Sequence, residues 1–138
     1  MPGPLVGDAD GAAQCNGIVG FVTISNSAKD LTLDFRNSIT VEAWVKVNAF
    51  DAARSWDAIV TKGDTSWRLH RFANSSHLAF GTSGLSNSDL EGSRNVADGQ
   101  WHHVAAVFDG VTKYLYLDGL LDASAPVTGA ISGNDAPI

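Results

Sequence analysis

Two neighbouring segments carry side chains that could bind a polar ligand. Arg68 and His70 alternate in one strand-like run, and His77 begins the next run. If the two runs pair as a hairpin, Arg68 lies opposite Gly81 and His70 lies opposite Ala79. The long hydrogen-bond-donating side chains of Arg68 and His70 would then stand beside the small Gly81 and Ala79 and line a shallow groove. Such a groove suits sugar hydroxyls or a carboxylated sugar. The alternative is an ordinary solvated outer face.

Two tryptophans could supply an aromatic platform, because an exposed ring stacks on the apolar face of a sugar. Trp56 lies in the predicted loop 50–57, and Trp44 lies on the more polar face of a predicted strand. Each ring also has a structural interpretation. Trp56 could seal the end of the fold, and Trp44 could pack under a neighbouring loop.

Three aspartates in or near the same loop could bind a cation. Asp51, Asp57 and Asp64 supply the oxygen ligands that calcium prefers, and calcium takes about six to eight of them. Calcium is therefore the one cofactor that we predict. The alternative is that these acidic loops are simply solvated.

The adjacent pair His102-His103 suggests a metal site or a general base. Neighbouring residues of a strand point to opposite faces, so the two imidazoles cannot hold one ion together. The pair therefore does not predict a shared metal site.

A glycosidase would need two carboxyl groups roughly 5 to 10 Å apart. The sequence has two glutamates, Glu42 and Glu91, and they lie in unrelated segments. We therefore predict that the protein is not an enzyme.

The scaffold that positions these side chains is predicted to be all-β. No long window shows helical periodicity, whereas short runs rich in β-branched and aromatic residues alternate with clusters of Gly, Asp, Asn and Ser. In the run 39–47 the odd-numbered residues form an apolar face directed at a core. The predicted strands are 19–24, 39–47, 58–61, 67–72, 78–82, 101–108, 113–117 and 120–123.

Aspartate dominates the acidic residues, with 13 Asp among 15 Asp and Glu, and aspartate favours turns over helix interiors. Asp118-Gly119 predicts a two-residue hairpin turn, and Asp109-Gly110 predicts a turn to the preceding strand. The segment 101–123 should therefore form a three-stranded antiparallel meander. The longer predicted loops are 50–57 and 84–99.

The 138 residues suffice for one core, and we predict a single domain over residues 1–138. The net charge of -6 argues against a nucleic-acid partner, because phosphate binding needs clustered cations. No apolar run approaches the ~20 residues that span a bilayer, so we expect no membrane insertion, and the segment after Met1 lacks the pattern of a signal peptide. The lone Cys15 excludes a disulfide framework within the chain.

Five segments in this order and spacing resemble the laminin-G-like jelly-roll family, within the concanavalin A-like lectin and glucanase superfamily. The likeness covers roughly residues 10 to 138. It implies a sandwich of two antiparallel sheets, and modules that are commonly non-catalytic, bind glycans or proteins outside the cell and often hold calcium. The segments are 39–46 (ITVEAWVK), 59–63 (IVTKG), 98–105 (DGQWHHVA), 108–110 (FDG) and 115–119 (LYLDG).

The sequence departs from the family pattern in two places. Asn16 stands where the family has the aspartate of a Phe-Asp-Gly run, so a carboxylate is missing where the resemblance places a calcium ligand. The family's usual first strand and its last, Ile-Asp-Glu-Val-like strand are not seen in the chain. Their absence would leave exposed strand edges, which predicts a homodimer or strand exchange.

These observations predict a non-catalytic, lectin-like module that binds a carbohydrate or a protein surface. One alternative is a structural or oligomerising β-sandwich domain. Another is an accessory fragment of a carbohydrate-active enzyme. The resemblance implies an extracellular or cell-surface location.

Overall fold

The computed structural model describes residues 1–7, 9–16, 20–25 and 33–138. The described residues form eight β-strands and no helix, so the all-β prediction is confirmed. Across these ranges, no helix is long and apolar enough to span a membrane. The strands are β1 (Ile39–Lys46), β2 (Ala58–Thr61), β3 (Trp67–Arg71), β4 (Leu78–Thr82), β5 (Asp89–Glu91), β6 (Trp101–Phe108), β7 (Thr112–Leu117) and β8 (Leu120–Pro126).

The strands form two four-stranded antiparallel sheets. The first, named the β1 sheet, has the order β1-β6-β7-β8, and the second, named the β3 sheet, has the order β2-β3-β4-β5. Buried apolar side chains from both sheets belong to one cluster, which includes Val104 and Leu115 of the β1 sheet and Leu69 and Phe80 of the β3 sheet. The two sheets therefore pack face to face as a sandwich.

Strand β1 shows the predicted alternation. Ile39, Val41 and Val45 are buried, whereas Trp44 and Lys46 are exposed on the other face. Since side chains alternate along a strand, the outer face of the β1 sheet carries Trp44 and the inner face carries the core.

The two predicted turns are confirmed, and with them the meander β6-β7-β8. Asp118 has φ 52° and Gly119 has φ 76°, the left-handed backbone that a two-residue hairpin turn requires. At the other turn the Asp109 carboxylate accepts hydrogen bonds from the amides of Val111 and Thr112. Both Asp-Gly pairs thus fix the register of the strands around them.

The hairpin of β3 and β4 has the predicted register. Leu69 pairs with Phe80 towards the core, and Arg68 pairs with Gly81 on the outer face. His70 pairs with Ala79, next along that outer face.

Two strand predictions need correction. The predicted strand 19–24 is wrong for its described part, because 20–24 joins neither sheet; Val19 lies outside the described residues. Ile24 instead exchanges two backbone hydrogen bonds with Ile138, at 2.6 and 3.1 Å. Conversely, β5 lies inside the predicted loop 84–99. Its three residues include a single buried apolar side chain, Leu90, so it is too short to show an alternating pattern.

A buried lysine ties the two sheets together. The Lys113 ammonium, on the inner face of β7, donates to the carbonyl oxygen of Phe80 at 2.6 Å and to Thr82 Oγ1 at 3.0 Å. It also lies 3.2 Å from the carbonyl oxygens of Asn87 and Ser88. Burial lowers the pKa of Lys113 to about 8, with Asp89 opposing the shift and Arg68 adding to it.

A second buried lysine holds the C-terminal segment. Lys62 Nζ donates to the carbonyl oxygens of Asn134 at 2.8 Å and Ala136 at 2.9 Å, and lies 3.4 Å from the carboxylate of Asp34. The Asn134 amide returns a hydrogen bond to the Lys62 carbonyl at 2.9 Å. The segment 134–136 is therefore fixed against the end of β2.

Candidate functional site

The loop before β2 is organised by one buried cation, Arg71. Its Nε donates to the Ser75 carbonyl at 2.8 Å, and its Nη1 donates to the carbonyls of Asp51 and Arg54 at 3.0 and 2.9 Å. Nη1 also reaches Asp57 Oδ2 at 3.2 Å. Because a guanidinium is a rigid planar donor, these bonds hold the loop in one conformation.

Trp56 lies at the end of that loop with an unusual backbone. Its φ is 63°, in the left-handed region that a bulky residue rarely adopts, and its amide donates to the Ala73 carbonyl at 3.3 Å. The indole packs edge-on against Phe72 at 5.1 Å and over His70 at 5.5 Å between centroids. Even so, Trp56 remains 47% exposed. One side of the indole thus packs against His70 and Phe72, and the rest of the ring is exposed to solvent.

An ionic network lies beside the indole on the outer face of the β3 sheet. Asp89 Oδ1 accepts from Arg68 Nη2 at 3.4 Å and lies 3.2 Å from His70 Nε2. Arg68 Nη1 donates to the Asp64 carbonyl at 3.0 Å and lies 3.7 Å from its carboxylate. Gly81 makes room for this network, since a Cβ there would lie 2.7 Å from Arg68 Cγ and 2.8 Å from His70 Nε2.

His70 is fully buried beneath Trp56 and Arg68. Burial lowers its pKa, the hydrogen bond to the Arg71 carbonyl opposes that shift, and the Arg68 charge adds to it. His70 Nδ1 lies 2.8 Å from that carbonyl and Nε2 faces Asp89. The imidazole is therefore part of the floor of the site and does not line an open groove.

A shallow open depression of about 390 Å³ lies where these groups meet; we name it the Trp56 depression. Its lining includes the indole of Trp56, the guanidinium of Arg68 and the carboxylate of Asp64. Such a surface offers an apolar platform together with a donor and an acceptor, the groups that a saccharide ring needs. The lining residues are Trp56, Ala58, Thr61, Gly63, Asp64 and Arg68.

The residues predicted to bind a ligand fall in different places. Trp56 and Arg68 line the depression together, and His70 lies directly beneath it. His77 lies at the far end of the hairpin, with Nδ1 3.4 Å from Glu91 Oε1.

Trp44 lies on the outer face of the other sheet. It is 46% exposed and packs against the His103 ring at 5.2 Å between centroids. A smaller depression of about 220 Å³ borders it, lined otherwise by Gly3, Pro4, Leu5, Asp10 and Gly11. Trp44 and Trp56 therefore belong to separate surfaces.

The two adjacent histidines have different partners, in keeping with the expectation that they point to opposite faces of the strand. His102 Nδ1 lies 2.8 Å from Asp118 and Nε2 lies 3.1 Å from Asp98, whereas His103 Nε2 lies 3.4 Å from Glu42. Burial alone would lower the pKa of His102, but the hydrogen bonds to Asp118 and Asp98 outweigh it and raise the pKa. The His102 contacts join the loop before β6 to the turn between β7 and β8.

The two glutamates are far apart in the fold. Glu42, on β1, contacts His103, and Glu91, on β5 of the other sheet, contacts His77. Each carboxylate thus has its own histidine partner, and the two do not face one another across a cleft.

The predicted calcium ligands do not come together. The carboxylates of Asp51, Asp57 and Asp64 lie 3.7, 3.2 and 3.7 Å from the guanidinium groups of Arg54, Arg71 and Arg68. Asn16 is an exposed residue of the N-terminal segment. In the part of the chain that the structure describes, no three His, Cys, Asp or Glu side chains form a metal-binding group. This donor set does not fit a calcium ion, which needs about six to eight oxygens.

Sequence reasoning did not assign roles to Arg71 or Asp89, which build the site. A signal for Arg71 was present, because the alternation that buries Trp67 and Leu69 also turns Arg71 inward, where a cation needs partners. Asp89 gave no such signal, since it lies in the short strand that was predicted as loop.

Comparison with known proteins agrees with this architecture. No curated protein matches the sequence. A family model, Laminin_G_3, described as the concanavalin A-like lectin/glucanases superfamily, matches residues 16–138. Domains of this type are generally non-catalytic and often bind carbohydrates or proteins. With two four-stranded antiparallel sheets and a match over most of its length, the chain belongs to the Laminin_G_3 family of concanavalin A-like lectins and glucanases.

Proposed function

We propose that this protein is a non-catalytic, lectin-like module that binds a carbohydrate in the Trp56 depression. The observation that carries the proposal is the conformation of Trp56, which combines a left-handed φ of 63° with a large side chain that is 47% exposed. A strained backbone at a bulky residue persists only where its surroundings enforce it, and such residues concentrate at ligand sites. Arg71 and the rings of His70 and Phe72 supply that enforcement.

The polar rim supports the same function. Arg68 offers N–H donors, and the Asp64 carboxylate, whose side chain is 98% exposed, offers acceptors next to the indole. A sugar ring has an apolar face for stacking and hydroxyl groups that both donate and accept hydrogen bonds. The arrangement matches that pattern without requiring a metal ion.

The direct test compares two tryptophans of nearly equal exposure. Binding of a glycan, first identified on an array, is measured by calorimetry for wild type, Trp56→Ala and Trp44→Ala. We expect Trp56→Ala to weaken binding at least about tenfold, or about 1.4 kcal/mol, and Trp44→Ala to change it less than about twofold. Equal losses in the two variants, or no loss in Trp56→Ala, would contradict the proposal. Incubation of the same glycan with the protein should yield no cleavage products.

A protein surface or a second copy of the chain is the second candidate partner. The β1 sheet ends in β8, whose Leu120 and Leu121 are 59% and 51% exposed. An exposed sheet edge offers unpaired backbone groups to another strand, which supports a homodimer through edge strands. Light scattering at micromolar concentration tests this: a dimer supports assembly, and a stable monomer rules it out.

We also propose an extracellular or cell-surface location. The supporting observation is membership of a family that commonly binds glycans and proteins outside the cell. Attachment to a carbohydrate-active enzyme, as an accessory module, would be compatible with the same binding site.

A further inference from the structure

We infer that the Trp56 depression takes neutral saccharides and discriminates against uronic-acid and sulfated ones. This inference rests on the proposed carbohydrate-binding function and adds the chemical class of the ligand. The sequence left two ligand classes open, neutral sugars and carboxylated sugars, because the guanidinium of Arg68 can bind a carboxylate. The surroundings of Arg68 in the structure favour the neutral class.

The first argument is that the Arg68 charge is already compensated. Its two terminal nitrogens lie 3.4 Å from Asp89 Oδ1 and 3.7 Å from Asp64 Oδ1, and Nη1 also donates to the Asp64 carbonyl. Two carboxylates thus lie within 4 Å of one guanidinium at the rim. An anionic sugar bound to Arg68 would be repelled by both of them, which offsets its attraction to the guanidinium.

The second argument concerns two buried cations near the site, Arg71 and Lys113. Arg71 is 5% exposed at its side chain and is engaged by Asp57 and three carbonyl oxygens, so it cannot turn towards a ligand. Lys113 lies in the core between the sheets with its ammonium bound to Phe80 and Thr82. Neither cation can therefore contact an anion in the depression.

The third argument is the position of Asp64. Its carboxylate is nearly fully exposed on the rim and carries a negative charge towards solvent. A carboxylate accepts hydrogen bonds from two neighbouring hydroxyl groups, and it repels a carboxylate or sulfate placed at the same position. The net charge of -6 over the whole chain acts in the same direction.

The test uses paired glycans that differ in charge. Neutral oligosaccharides and uronic-acid oligosaccharides of matched length are titrated into wild type, Asp64→Asn and Glu42→Gln in low-salt buffer. Glu42→Gln is the matched control, because it removes one negative charge from the outer face of the other sheet, where Glu42 is 65% exposed. Trp56→Ala is included because a glycan that binds in the Trp56 depression should lose affinity in this variant, whereas one that binds elsewhere should not.

We expect wild type to bind at least one neutral glycan, and to bind acidic glycans at least about tenfold more weakly. Asp64→Asn should lower the ratio of neutral-glycan affinity to acidic-glycan affinity at least about threefold. Glu42→Gln should change this ratio by less than about 1.5-fold. If acidic glycans bind better than neutral ones and lose binding in Trp56→Ala, the inference is overturned while the proposed function stands. If Asp64→Asn and Glu42→Gln give the same ratio, the assignment to Asp64 is wrong. If no glycan of either class binds, both the function and the inference fail.

Discussion

Trp44 and Trp56 are two exposed tryptophans with nearly the same accessible fraction, 46% and 47%, and each packs against a histidine ring. Their supports differ. Trp44 stands on a regular strand beside a partly exposed His103, whereas Trp56 stands on a strained loop residue above the fully buried His70. Exposure alone therefore does not identify a binding platform.

The difference lies in how rigidly each ring is held. Beneath Trp56 are Phe72, the Arg68–Asp89 network and an arginine that fixes the loop, so the orientation of the indole is set before a ligand arrives. Preorganisation of this kind lowers the entropy cost of binding. If these contacts support Trp56, changes beneath it should lower the stability of the protein, whereas matched changes on the face of Trp44 should not.

The largest effect is expected from Lys113→Met. This change removes the ammonium that donates to the carbonyls of Phe80, Asn87 and Ser88 and to Thr82 Oγ1, so four hydrogen bonds between the sheets are lost. We expect a loss of about 3 kcal/mol in the free energy of unfolding, measured by urea denaturation. The control is Lys46→Met, which removes an exposed lysine on the same face as Trp44 and should change stability by less than about 0.5 kcal/mol. Equal stabilities of the two variants would show that the ammonium does not tie the sheets together.

A smaller effect is expected from Gly81→Val. The added side chain occupies the space of Arg68 and His70 and must displace them, which we expect to cost about 1 to 2 kcal/mol of stability. Ala105→Val makes a similar change on the partly exposed outer face of the β1 sheet and should be nearly neutral. Thermal melting of both variants measures the difference. A Gly81→Val protein as stable as wild type would mean that Arg68 and His70 can move aside at no cost in stability.

The smallest effect concerns pH. Because burial lowers the pKa of His70, the unfolded chain binds a proton near pH 6.5 while the folded chain does not. The stability contributed by neutral His70 is therefore present above pH 6.5 and is lost as pH falls towards the folded pKa. NMR titration of the imidazole protons, assigned with His70→Asn, should place the titration midpoint of His70 below pH 6.5. A midpoint above pH 6.5 would contradict the burial of His70 beneath Trp56.

In the same titration the pKa of His102 should be shifted in the opposite direction to that of His70. Its bonds to Asp118 and Asp98 outweigh the effect of burial and raise its pKa, so its contribution is present below pH 6.5 and is lost as pH rises through the folded pKa. His102→Asn should remove the resonance that titrates above 6.5. If His70 and His102 titrate together, the two environments do not differ as described.

The local pattern of the sequence was enough to predict most of the fold. The register that pairs Arg68 with Gly81 follows from alternation and from one short turn. The Asp118-Gly119 turn follows from the backbone that those residues tolerate. Both features depend on residues close together in the chain.

The candidate site was predicted only in part, because it depends on contacts between distant segments. Alternation places His70 on the outer face, but it cannot show that the loop carrying Trp56 folds over that face and buries the imidazole. Nor does the spacing of Asp51, Asp57 and Asp64 show that each carboxylate faces an arginine and not a shared cation. Long-range packing decided these points.

The burial of Lys62 and Lys113 has a practical consequence for attaching the protein to a surface. Among the lysines in residues 1–7, 9–16, 20–25 and 33–138, Lys46 is the one whose side chain is exposed. It lies on the face of Trp44, and the amine of Met1 belongs to the segment that borders the same tryptophan. Amine-reactive coupling through these groups would immobilise the domain by its β1 sheet, with the Trp56 depression directed towards the solution.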